Sequence, residues 1–177
     1  ISHYYFIKRN TSHVLNRVVK EKNIGLEEYV TSGICDEISN DQTRLIAGVS
    51  REASVNTNDM LKMAKENIDN EFIVAGLVEQ FDDTLMLLKR RLGLRNIFYG
   101  VRNQTIGRPQ KNQIPEYTID LIRERNDADI ALYDHAKERL IKIIEEEGSD
   151  FSNDVKRFEL LNRPYSDIFY LIRNMKN

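Results

Sequence analysis

The sequence predicts an α/β protein: a helix-rich chain holding one clear buried strand of a parallel sheet, at residues 72–77. Phe72-Ile73-Val74-Ala75-Gly76-Leu77 is a continuous apolar run, as expected for a strand covered on both faces. A polar junction, Val78-Glu79-Gln80, follows it. Next comes a helix with Asp82 and Asp83 in its first turn, Lys89, Arg90 and Arg91 in its last, and Gly93 as its stop. Acids at the start and bases at the end complement the helix dipole, and glycine suits the residue after a helix. A buried strand leading into such a helix is the unit of a parallel sheet. Almost no other run of that quality is present.

The remaining elements read in order. Residues 1–9 predict the tail of a helix or a buried turn, with Tyr4, Tyr5 and Ile7 packed. Asn10-Thr11-Ser12 breaks the pattern. Val14, Leu15, Val18 and Val19 recur at helical spacing, and Leu26-Glu27-Glu28-Tyr29-Val30 makes a short helix closed by Gly33. Residues 34–56 carry no strong period and predict loops. Thr57-Asn58-Asp59 starts a helix with an apolar stripe of Met60, Leu61, Ala64 and Ile68. Residues 94–114 form a long connection. Pro115 suits a first helical position, ahead of Tyr117, Ile119, Leu121 and Ile122. After an interruption at Asn126-Asp127, Ile130, Leu132, Tyr133, Ala136, Leu140, Ile143 and Ile144 predict a long helix stopped at Gly148. Residues 151–177 predict one or two docked helices.

Composition narrows the class. Hydrophobic residues are 41% and charged residues 31% of the 177, which fits a helix-rich globular chain and argues against disorder. The net charge of −2 draws neither nucleic acid nor a membrane surface, and no apolar run approaches the roughly 18 residues of a membrane span. The single cysteine, Cys35, excludes an intrachain disulfide and favours a reducing compartment. The chain opens on Ile1 rather than methionine, the start expected of a processed product or of a piece of something longer.

Charge is the most unusual local feature. From Thr84 to Pro115 there is no Asp or Glu, while Lys89, Arg90, Arg91, Arg95, Arg102, Arg108 and Lys111 all fall in that window. Two readings stand side by side: a basic face answering acids elsewhere, or recognition of phosphate or sulfate. Arg108 and Lys111 sit on or beside Gly107-Arg108-Pro109, where backbone and guanidinium can meet an anion together. The glycine-rich phosphate loops and the nucleophile-elbow motif are absent. His3, His13 and His135 have no metal-ligand spacing to each other or to Cys35, so no metal site is expected. Cys35 reads as an idle or buried thiol, and Glu79 as a helix-entry residue.

Several stretches together resemble the sulfotransferases. Ile1-Ser2-His3-Tyr4-Tyr5-Phe6-Ile7-Lys8-Arg9 is similar to the end of that family's 3′-phosphate-binding motif, R-D-P-x-x-R-x-x-S-x-Y-x-F. Residues 64–93, AKENIDNEFIVAGLVEQFDDTLMLLKRRLG, resemble the strand-helix unit of the 2-O-sulfotransferase-like, carbohydrate-type branch. So do Tyr99-Gly100-Val101-Arg102-Asn103 with Arg108-Pro109, and Ile122-x-x-x-Asn126-x-x-Asp129-Ile130-x-Leu132-Tyr133-x-x-Ala136. The series runs from residue 1 to about 145; residues 149–177 lie outside it.

The resemblance implies the P-loop-kinase-like sulfotransferase fold. Residues 1–148 would be the C-terminal part of that domain and 149–177 a helical tail packed on it. It implies transfer of a sulfuryl group from 3′-phosphoadenosine 5′-phosphosulfate, without a metal, to a hydroxyl of a carbohydrate or other small metabolite. Ser2 would contact the cofactor 3′-phosphate, and Arg108 would belong to a late loop closing over it. The motif arginine, the 5′-phosphosulfate loop with its lysine, the catalytic base and most of the sheet would lie ahead of Ile1, leaving the chain alone inactive. A bacterial-type cytoplasm is favoured over a Golgi-type lumen. The alternative is a non-enzymatic helical module that binds a phosphorylated or nucleic-acid partner through the basic window 84–115.

Overall fold

The computed structural model describes residues 1–100 and 109–174. Three short helices build a first, smaller core: α1 (Ser2–Arg9), α2 (Val14–Glu21) and α3 (Leu26–Thr31). Tyr4, Ile7, Val19, Ile24 and Tyr29 are buried there. Helices this short are marginal alone, and tertiary contacts hold them. The Tyr4 hydroxyl donates to the Ile24 carbonyl at 2.8 Å, and Asn16 Nδ2 donates to the Ile7 carbonyl at 2.6 Å. His13 caps α2, its Nδ1 accepting from the Leu15 N–H.

The larger core follows. A 3-10 turn at Asp36–Ile38 leads to α4 (Asp41–Ile46), then to α5 (Thr57–Asn70) and α6 (Phe81–Leu92). Asn56, one residue before the expected start, caps α5 by accepting from the Asp59 N–H. Met60, Ala64 and Ile68, four residues apart, form the stripe that buries against its neighbours. α6 ends where expected, with Gly93 in the left-handed region at φ +66°. The chain then runs through α7 (Glu116–Arg125), α8 (Asp127–Glu146) and α9 (Ser149–Asn174). α5 packs on α4 and α8, α6 on α9, and α3 on α7. Ala64, Ile68, Leu87, Leu132, Leu140 and Phe151 share this core, so the tail helix packs with the rest. Pro164 stands inside α9, and Pro115 precedes α7 as its cap residue.

A polar seam joins the start of α4 to the start of α8. Asn40, left-handed at φ +50°, turns the chain into α4. Its N–H donates to Asn126 Oδ1 at 3.3 Å, its Nδ2 to Asp127 Oδ1 at 3.1 Å, and its Oδ1 accepts the Asp129 N–H at 3.1 Å. Asp129 Oδ1 accepts from both the N–H and the hydroxyl of Thr43, each at 2.7 Å. Thr43 is fully buried, so these bonds satisfy groups that water cannot reach.

The α/β expectation is overturned. Among the described residues there is no strand and no sheet, and the fold is all-helical. Residues 72–77 are an irregular connector between α5 and α6, with a bend at Ile73, and with Phe72 40% and Ile73 51% exposed. An apolar run becomes a strand only with a partner to pair its backbone, and no partner strand is present among the described residues. Side chains take that place: Arg139 Nη2 donates to the Phe72 carbonyl and Arg91 Nη1 to the Ile73 carbonyl, both at 2.9 Å. The 34–56 stretch, expected as loops, contains α4. No helix among the described residues is long and apolar enough to cross a membrane.

Candidate functional site

Ser2 lies in the first turn of α1 and is exposed. That turn carries no acidic residue, while Lys8 and Arg9 fall in the last one. A helix N-terminus directs backbone N–H groups and the positive end of its dipole at whatever approaches, which suits an anion. Ser2 adds a hydroxyl at the same end. Arg108, expected with it at the 3′-phosphate, lies outside the described residues, as does Arg102.

The structure divides the basic window. Arg90 is held by Glu147 at 2.8 Å and Asp154 at 2.7 Å, with its guanidinium 5.1 Å above the Phe151 ring. Those bonds keep its pKa above the ordinary arginine value. Arg91 reaches the Ile73 carbonyl and Glu147. Acids beyond the window therefore answer both residues. Lys89 and Arg95 do not share this fate. With Arg157 of α9 they rim a cleft of about 560 Å³ between α6 and α9, and none of the three has an ion-pair partner among the described residues.

Met86, Ile97, Phe98 and Phe158 wall the cleft on one side, and the Arg90–Asp154 pair also lines it. Phe98 leans on Phe158 and Tyr165, with ring centroids 5.8 and 5.5 Å apart. The connector after α6 is pinned beside it. The Tyr99 N–H donates to Asn162 Oδ1 at 3.0 Å, and the Tyr99 hydroxyl to Asp82 at 2.8 Å. Burial and that carboxylate push the Tyr99 pKa up to about 12, so it stays a neutral donor. Cations around an aromatic wall can hold an anionic group bearing a flat ring. Ser2 belongs to the smaller core and this cleft to the larger one.

Sequence reading missed Arg157, which lies beyond the acid-free window and reaches the cleft only through the packing of α9 on α6. It also missed the approach of His3 to Cys35 and Glu37, whose donor atoms all lie within 4.8 Å of one another, which spacing along the chain could not signal. The other histidines have plain roles: His13 caps α2, and His135 Nε2 lies 3.0 Å from Asp69 Oδ1. Glu79, read as a helix-entry residue, falls in the 3-10 turn Val78–Gln80 that leads into α6. Comparison with protein-family models, with curated proteins and with solved structures gave no match.

Proposed function

We propose that this chain forms the 3′-phosphate side of the donor site in an enzyme that moves a sulfuryl group from 3′-phosphoadenosine 5′-phosphosulfate to a hydroxyl of a carbohydrate or small metabolite. The observation that carries the reading is the way the sulfotransferase-like stretches pack. Ala64, Ile68, Leu77, Leu87, Leu132 and Ala136, drawn from residues 64–93 and 122–136, share one core. Asn126 and Asp129 of the same series clamp the start of α4. Ser2 offers its hydroxyl at an acid-free helix start, a chemistry that fits phosphate. Transfer would exchange one S–O bond for another in line. This chain's part would be to hold the leaving nucleotide, and the residues that stabilise its departure would come from elsewhere. The free Cys35 suits a reducing, bacterial-type cytoplasm.

A second reading rests on Lys89, Arg95 and Arg157. Here the cleft itself takes a phosphorylated ligand, without any transfer chemistry. One calorimetric titration separates the two. Adenosine 3′,5′-bisphosphate should bind in preference to adenosine 5′-monophosphate. Ser2→Ala should weaken it by about 1.5–3 kcal/mol, the range for a hydrogen bond to a charged group. Equal binding of both nucleotides, or of neither, would sink the sulfuryl-transfer reading. If Arg95→Glu removes binding while Ser2→Ala does not, the cleft is the anion site. A steep loss of affinity with salt would point instead to a nucleic-acid backbone.

A further inference from the structure

Three side chains that can ligate a metal converge in the smaller core, and the sulfuryl-transfer reading uses none of them. His3 comes from the first turn of α1, Cys35 from the segment after α3, and Glu37 from the turn Asp36–Ile38. Their donor atoms all lie within 4.8 Å of one another. His3 Nε2 stands 3.4 Å from Glu37 Oε2. A tetrahedral zinc with bonds of about 2.0–2.3 Å separates its donors by roughly 3.3–3.8 Å, so this pair already has the required spacing.

The outward atom of each of these two residues is held by a neighbour. The Tyr29 hydroxyl lies 3.2 Å from His3 Nδ1, and Arg51 Nη2 lies 3.3 Å from Glu37 Oε1. With the Nδ1 proton given to the Tyr29 oxygen, the Nε2 lone pair faces Glu37. Tyr29 is itself buried, a fixed post beside His3. Outer partners of this kind orient metal ligands and set the histidine tautomer.

We infer that His3, Cys35 and Glu37 form a zinc site with three protein ligands and an open fourth position. A thiolate and a carboxylate balance the charge of the dication. The thiolate-imidazole pair selects zinc over magnesium or calcium. His13 stays outside the group, its Nδ1 committed to the Leu15 N–H, so the fourth position falls to water or an added ligand. The ion would tie α1, the segment after α3 and the following turn together.

The test uses the full chain, stripped of metal under reducing conditions and titrated with zinc against a chromophoric chelator. One zinc should bind per chain, and cobalt in its place should show a thiolate-to-metal charge-transfer band. Cys35→Ser should abolish the band. Glu37→Gln, on an exposed turn, should weaken zinc by about tenfold or more while the far-ultraviolet circular dichroism stays unchanged. Tyr29→Phe should cost roughly 10–100-fold, the range for an outer partner. A wild-type chain that binds no stoichiometric zinc overturns the site, and so does a folded Cys35→Ser chain that binds it equally well. Neither result depends on the nucleotide titration.

Discussion

Asp129→Ala should destabilise the chain by about 2–5 kcal/mol, because it strands two buried donors at once. The Thr43 N–H and hydroxyl both end on Asp129 Oδ1 at 2.7 Å, and Thr43 has no exposed surface through which water could replace the carboxylate. The loss reaches beyond one residue. α4 has six residues, too few to persist by propensity, and Asp129 holds its first turn. Chemical denaturation should show a lower midpoint, and hydrogen exchange should show residues 41–46 opening first. Asp129→Asn keeps one acceptor and should cost less. An Asp129→Ala chain with an unmoved midpoint would mean that the seam does not support the fold.

Gly76→Val should cost about 1–3 kcal/mol or more through overpacking. A Cβ at residue 76 would stand 2.2 Å from Thr84 Cγ2 and 2.6 Å from its Oγ1. Thr84 cannot simply turn away, since its hydroxyl donates to the Gln80 carbonyl at 2.8 Å. The position is exposed on its other side, so the cost comes from one contact with α6. Pairing the change with Thr84→Ala should recover part of the loss, leaving only the Thr84 Cβ, 2.9 Å from the added atom. Additive denaturant midpoints for the two changes would place the strain elsewhere.

Local signals announced the helices well. The acid-to-base gradient and Gly93 marked α6, and the spacing from Ile130 to Ile144 marked α8, because periodicity and end residues act within a few turns of chain. The strand at 72–77 failed for a different reason. Its residues suit a buried strand, but whether such a run pairs depends on what lies beside it, which one stretch cannot tell. α4 was hidden because its support comes from Asp129, far along the chain. The site was illegible for the same reason: Cys35 and Glu37 stand together at the turn Asp36–Ile38, but His3 reaches them from α1, far back along the chain. The basic window was half legible. The absence of acids between 84 and 115 was plain, but Glu147 and Asp154 arrive from outside it to neutralise Arg90.

Residues 72–77 carry no charge and no proline. Among the described residues none of their N–H groups donates a hydrogen bond. Short uncharged β-prone stretches in an extended state are templates on which copies stack into cross-β fibres. Arg91 and Arg139 occupy two of the carbonyls, and both are expected to act as gatekeepers against that growth. Replacing both with Met should shorten the lag before thioflavin-positive fibres form, while the freshly prepared chain keeps its far-ultraviolet circular dichroism; an unchanged lag would locate the hazard in another segment. On this expectation, the stretch with the strongest strand signal would also be the one from which fibres start.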